Sequence, residues 1–203
     1  MSVSEALMYV GNTEESGQNQ LEILKSEGLL PHHYVLEIGC GVLHLARYLI
    51  PYLNYGLYYA IDPNEWLRKE ATNNDWELQD TVVKKGASFL SRDDFDASEF
   101  GGKFDYIFSH SVLSHASRSQ FYDYMVKTAQ VLKDDGLSIA SFRLGEDTSN
   151  PNWEYPDVNY YTQDTMYDAT FKAGLKCKLR SDIRDVHTAI CPAEIHDWME
   201  IYK

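Results

Sequence analysis

Short apolar runs alternate with amphipathic stretches along most of the chain, and the two periods separate strands from helices. Val35 to Ile38, Gly56 to Ile61, Ala87 to Leu90, Lys103 to Ser109 and Leu137 to Phe142 are short and apolar, and they predict five strands. Between them, Val42 to Ile50 predicts a helix stopped by Pro51, and Asn64 to Thr72 a helix capped by Asn64. Glu77 to Lys85 predicts a shorter helix before Gly86. Ser117 and Gln120 have capping-box spacing, opening a helix that carries Phe121, Met125, Val131 and Leu132 before Gly136. Gln18 to Glu27 precedes this series as a lid or packing helix, ahead of Gly28. Tyr161 to Ala173 follows as a helix ended by Gly174, and Leu175 to Arg180 with His196 to Tyr202 supply two last strands. Such alternation predicts a mostly parallel sheet with helices on both faces. The final two strands are read as joined by a loop without a helical crossover, so they should run antiparallel.

Composition places these elements in one domain, residues 1–203, with residues 1–30 as an N-terminal helical segment. A chain of 203 residues with 44% hydrophobic content can bury a sizeable core, and no linker or repeat divides it. The start, Met1-Ser2-Val3-Ser4-Glu5, has neither a basic region nor an apolar run, and no stretch is long enough to span a bilayer, so the expected location is cytoplasmic. Three cysteines without paired spacing, Cys40, Cys177 and Cys191, point to reduced thiols and to no metal site. The net charge of −13, from 31 acids against 18 Lys and Arg, works against a phosphate-backbone partner, and no basic membrane-binding patch stands out.

The chemistry concentrates after the first strand. Gly39 and Gly41 lack Cβ and allow a ligand close to the backbone, and Asp62, at the end of the second strand, can accept hydrogen bonds from two ribose hydroxyls. A dinucleotide fingerprint would place a third glycine at His44, and Glu37 would repel a pyrophosphate while favouring the ammonium of an amino-acid-like tail. A nucleoside cofactor is expected, and not NAD. Cys40 between the glycines reads as a small packing residue rather than a reactive thiol.

In this order, Glu37-Ile38-Gly39-Cys40-Gly41, Asp62, Phe104 to Ser109 and Val131 to Gly136 give the chain a resemblance to the class I S-adenosylmethionine-dependent methyltransferases. It covers roughly Leu21 to Phe142. Departures are Leu43, where many members carry a third glycine, and Asp134-Asp135 in place of Pro-Gly. The resemblance implies a Rossmann-like three-layer α/β/α sandwich with a mostly parallel seven-stranded sheet, its antiparallel last strand inserted beside the fifth. It also implies S-adenosylmethionine as cofactor, with Glu37 near the methionine ammonium, Gly39, Cys40 and Gly41 along the methionine and ribose, and Asp62 on the ribose. An acid after the third strand should lie near the adenine amino group; of Asp93 and Asp94, Asp94 is preferred because Phe95 can cover the adenine face. Ser109, at the carboxyl end of the fourth strand, is expected at the same crevice.

Methyl transfer from a sulfonium needs alignment and exclusion of water, and a base only when the acceptor arrives protonated. His110 and His115, after the fourth strand, are the candidate bases, His110 first because it is nearest the strand end. Residues 145–161, with Trp153, Tyr155, Tyr160 and Tyr161, are expected to form a lid over a small-molecule acceptor, joined by Met8 and Tyr9. The acceptor atom and the oligomeric state stay open. A protein methyltransferase and a non-catalytic cofactor-binding regulatory module are the alternatives.

Overall fold

The computed structural model describes residues 14–148, 150–153, 155–192 and 195–203. Its elements, in chain order, are α1 (Glu14–Ser26), β1 (Val35–Ile38), α2 (Ala46–Tyr52), β2 (Tyr58–Ile61), α3 (Glu65–Asn73), α4 (Trp76–Lys84) and β3 (Ser88–Leu90). A 3-10 turn (Ser98–Phe100) leads to β4 (Phe104–Ser109), α5 (Arg118–Val131), β5 (Leu132–Phe142), α6 (Gln163–Lys172), β6 (Lys176–Leu179), α7 (Ser181–Ile190) and β7 (Asp197–Tyr202). Among the described residues no helix is long and apolar enough to cross a membrane.

Seven strands form one sheet in the order β3-β2-β1-β4-β5-β7-β6. The first five pair in parallel, and β7 lies antiparallel between β5 and β6. Strand order reverses between β1 and β4, so the loops leaving their carboxyl ends turn to opposite faces and open a crevice. All four residues of β1 are buried, which is why its sequence is apolar apart from Glu37. Alternation still sorts its side chains: Leu36 and Ile38 enter the core that contains Phe121 and Met125 of α5, while Val35 enters the opposite core with Leu24 of α1 and Leu49 of α2.

Several local expectations change. The turn after β1 runs to Leu45, so α2 begins at Ala46, and Pro51 sits inside it one residue from its end, where its missing N–H removes only a terminal bond. Asn64 makes no side-chain cap; the carboxylate of Asp62 instead accepts the Asn64 N–H. Gly136 lies within β5, where the register to β4 shifts between Phe104 and Tyr106 and Lys133 to Gly136 bulge out. A Cβ at Gly136 would meet the Phe104 carbonyl oxygen at 2.9 Å, which explains a glycine in that strand. The link between β6 and β7 is α7, not a plain loop. Its charged residues, Asp182, Arg184 and Asp185, hide a helix that buries Ile183 and His187. The antiparallel pairing holds all the same, because a helix that packs beside the sheet edge can return the chain in either direction.

Two close approaches set the geometry above the sheet. A Cβ on Gly17 would meet the backbone oxygen of His44 at 2.1 Å, so α1 lies directly against the turn after β1. In that turn Leu43 holds a left-handed backbone, φ 65°, with its side chain fully buried among Leu24, Leu45 and Leu49. A left-handed conformation costs a side-chain-bearing residue about 1–2 kcal/mol, which the burial of the leucine offsets. Leu43→Ala should therefore lose about 2–5 kcal/mol in urea unfolding. Leu43→Gly should lose no more than Leu43→Ala although it removes one further carbon; a clearly larger loss would show that the turn is unstrained.

Candidate active site

The loops leaving β1, β2, β3, β4 and β5 surround a cavity of about 530 Å³, closed from the other side by α1 and the segment before β7. At its base the turn after β1 is pinned by one carboxylate. Asp62 accepts the Gly41 N–H on Oδ2 at 2.8 Å and the Asn64 N–H on Oδ1 at 2.7 Å. Burial raises the Asp62 carboxyl, and the two backbone donors pull it back. Gly39, φ 82°, is glycine for two reasons: its left-handed backbone, and Val112, whose methyl would stand 2.3 Å from any added Cβ.

Glu37 lies on the cavity floor, 5% exposed, and accepts the Tyr58 hydroxyl at 2.5 Å. Burial pushes its carboxyl up to about 8, the Tyr58 hydrogen bond opposes the shift and the charge of Asp62 adds to it. Cys40 is buried in the same wall. Its thiol is driven well above its ordinary value by burial and then by Asp62 and Glu37, which excludes a resting thiolate.

On the β4, β5 and β7 side the lining changes character. His110 packs face to face with Trp198 at 5.3 Å, with His196 at 4.7 Å and His187 at 5.0 Å from its ring. The Gln20 amide donates to His110 Nδ1 at 3.1 Å, so the neutral ring carries its proton on Nε2. His115 is set the other way: its Nδ1–H donates to the Asp157 carbonyl at 2.9 Å, leaving the lone pair of the neutral ring on Nε2, 3.5 Å from Ser111 Oγ. Trp153 and Tyr155 flank His115 at 5.8 and 5.1 Å between rings. The segment that carries them is strapped to the loop after β4, since Asn159 N–H donates to Ser114 O at 2.7 Å and the Tyr161 hydroxyl to Ala116 O.

Of the residues singled out from sequence, Glu37, Gly39, Cys40, Gly41, Asp62, Phe95, His110 and His115 all line this one cavity. Asp94 does not: Arg92 grips its carboxylate at 2.6 and 2.9 Å and holds it down to about 2, while Asp93 takes the place on the wall. Ser109 lies beneath the floor, fully buried, with its hydroxyl 2.9 Å from that of Tyr124. Met8 and Tyr9 lie outside the described residues. Missed in the sequence were Gln20, Arg143 and His196 on the cavity wall and the supporting His187 and Trp198. Arg143 had a signal, standing immediately after β5 at a strand's carboxyl end. His187 had none, because the helix that carries it was not recognised.

This arrangement is that of a Rossmann-like α/β/α enzyme with one large cavity at the carboxyl ends of its parallel strands. Residues 36–138 match the family model described as a methyltransferase domain, and the chain belongs to that family, which with this fold makes it a class I S-adenosylmethionine-dependent methyltransferase. Solved structures share the fold at low identity. The magnesium protoporphyrin IX methyltransferase of Synechocystis PCC 6803 with bound SAM aligns with a TM-score of 0.64 and 17% identity, over 93% of this chain and 78% of its own. An S-adenosylmethionine-dependent methyltransferase from Clostridium acetobutylicum ATCC 824 aligns with a TM-score of 0.66 and 12% identity, over 95% and 92%. The CcbJ methyltransferase from Streptomyces caelestis gives 0.65 and 11%, over 95% and 96%. No curated protein sequence matches the chain.

The Glu37 environment fixes the sign of one pH effect. With its carboxyl at about 8 in the fold and near 4.3 when unfolded, folding takes up a proton between these values. Stability without cofactor should therefore fall as pH rises from about 4.5 to 8. Glu37→Gln removes that titration, so its melting temperature should decline less across this window than that of the wild type. Parallel melting curves for the two proteins would show Glu37 to be an ordinary ionised carboxylate.

Proposed function

We propose that the enzyme transfers the methyl group of S-adenosylmethionine to a small molecule held beneath the Trp153 and Tyr155 strap. The observation that carries this reading is the division of one cavity: a cradle of Glu37, Gly39 to Gly41, Asp62 and Asp93 opens into a chamber of histidine and aromatic side chains. The residues present fit the cofactor. Asp62 spends two of its acceptor positions on backbone N–H groups and keeps others for ribose hydroxyls. Phe95 lines the wall for a base, and Asp93, on the same wall, would serve its amino group in place of Asp94. Leu43, the departure from the family pattern, is turned into the core and leaves the cradle open. A cavity of about 530 Å³ that must hold the cofactor as well, with Trp153 and Tyr155 on its wall, suits a metabolite rather than a folded protein segment.

When bound, the cofactor supplies a methyl group already activated by its sulfonium. The protein's part is alignment, exclusion of water and, for a hydroxyl acceptor, removal of a proton. His115 fits the last task better than His110, because the Asp157 carbonyl holds its lone pair on Nε2 while Gln20 makes His110 Nε2 an N–H donor. Glu37, neutral in the open cradle, ionises when an ammonium group comes beside it.

Calorimetry should give micromolar binding of S-adenosylhomocysteine, tightening from pH 6 to 8 with release of a proton, and no binding of NAD. Asp62→Ala should weaken it tenfold or more and also cost about 1–3 kcal/mol of stability through the freed backbone donors. Tight NAD binding with no response to the methionine derivative would sink the reading.

For a hydroxyl acceptor, His115→Ala should lower turnover by roughly 10²–10⁴-fold with cofactor affinity unchanged. His110→Ala should lower it less. The pH profile decides between them: an acidic limb should vanish in His115→Ala alone, and a flat profile in all three proteins would refute a histidine base.

A further inference from the structure

We propose that the histidine end of the cavity is built for an anionic group on the acceptor, a carboxylate or a phosphoryl group, with Arg143 as its binding residue. This rests on the methyltransferase reading and names the class of acceptor.

Arg143 stands immediately after β5. Its carbonyl accepts the Tyr161 N–H at 2.9 Å and the next N–H, of Leu144, donates to Asp197 Oδ2 at 2.8 Å, so its backbone is held on both sides. The side chain reaches the cavity wall, and among the described residues its buried Nε–H has no hydrogen-bond partner and no carboxylate pairs with it. The other six arginines, Arg47, Arg68, Arg92, Arg118, Arg180 and Arg184, each form an ion pair with a carboxylate. In a chain with 31 acids against 18 Lys and Arg, a guanidinium left without one, with a donor buried against a cavity, is aimed at something else.

The surroundings agree. His196 lines the same region, 5% exposed, with Nδ1 buried and unpartnered. Burial and the nearby Arg143 charge keep its ring neutral, its pKa lowered to about 3, so it offers an anion a hydrogen bond without a second buried charge. Among the described residues, the carboxylates on the cavity wall, Glu37, Asp62 and Asp93, lie on β1 or just after β2 and β3. Arg143, His110 and His196 follow β5, follow β4 and precede β7, on the other side of the strand order. The acidic side suits a cofactor with a cationic tail, and the basic side an acceptor with a negative charge. Trp153 and Tyr155 then cover the apolar body of that acceptor.

The test uses benzoate, phenylphosphonate and the neutral benzamide as probes, each titrated with and without S-adenosylhomocysteine and read by the fluorescence of the tryptophans in and beside the cavity. The wild type should bind at least one anion, and at least tenfold more tightly than benzamide; preference between the two anions tells a carboxylate from a phosphoryl acceptor. Arg143→Met should weaken anion binding tenfold or more and leave the affinity for S-adenosylhomocysteine unchanged, with Arg143→Lys intermediate. Benzamide binding as tightly as the anions, no anion binding at all, or equal anion affinity in Arg143→Met would overturn the inference. Failure to bind S-adenosylhomocysteine is scored separately and counts against the methyltransferase reading, because the anion titration without cofactor is read by itself.

Discussion

A single partly buried carboxylate, that of Asp62, ties together the turns after β1 and β2. Asp62 receives the N–H of Gly41 from the turn after β1 and that of Asn64 from its own turn after β2, so the ends of adjacent strands cannot move apart without orphaning the Gly41 donor. An uncompensated buried donor costs about 1–3 kcal/mol, which makes the link stiff on the scale of a marginally stable domain. The turn it holds is strained. Among the described residues, the non-glycine residues with a left-handed backbone are Leu43, Phe95 and Ser111, and they lie in the loops after β1, β3 and β4 that ring the cavity. The strain is maintained by burial of Leu43 in the core and by bonds such as the Ser111 N–H to Ser141 Oγ at 2.7 Å.

The cavity is prepared for charge more than it is charged. Glu37, with its carboxyl near 8, is mostly neutral at pH 7, and His196, lowered to about 3, is neutral as well. Both shifts come chiefly from burial, which penalises an ion until a partner of opposite sign arrives. A ligand that brings the partner recovers that penalty, so selectivity follows from the sign of the ligand's groups and from where the sheet places them. Tautomers are fixed in the same way: the Gln20 amide and the Asp157 carbonyl give His110 and His115 opposite roles, although the two lie five residues apart on one loop.

The far side of the site depends on pieces remote in sequence. α1 supplies Gln20 to His110 and Asn19, at 2.9 Å, to His187. β7 brings Trp198 beneath His110, and the residue before that strand is His196. Gly17 makes the approach of α1 possible, since any side chain there would strike the His44 carbonyl.

By itself the sequence determined the elements and the cradle. Strand and helix periods, the capping box of Ser117 and Gln120, the glycines of the first turn and the acid at the end of the second strand are local signals, written within a few residues and confirmed as local structure. The mostly parallel sheet was legible in the alternation of elements, and the place of the last strand beside the fifth came with the family resemblance. The exchange of Asp94 for Asp93 on the wall was decided by an ion pair with Arg92, and the burial of Ser109 by the facing Tyr124, neither of which a strand pattern reveals. Helix α7 escaped notice although Ile183, Val186, His187 and Ile190 recur at helical spacing, because Asp182, Arg184 and Asp185 among them made the short segment read as a polar loop. Only the folded chain gathers Gln20, His110, Arg143, His187 and His196 into one place. Such residues are joined by the antiparallel insertion of β7 beside β5, a long-range contact whose chemistry exists in space and not along the chain.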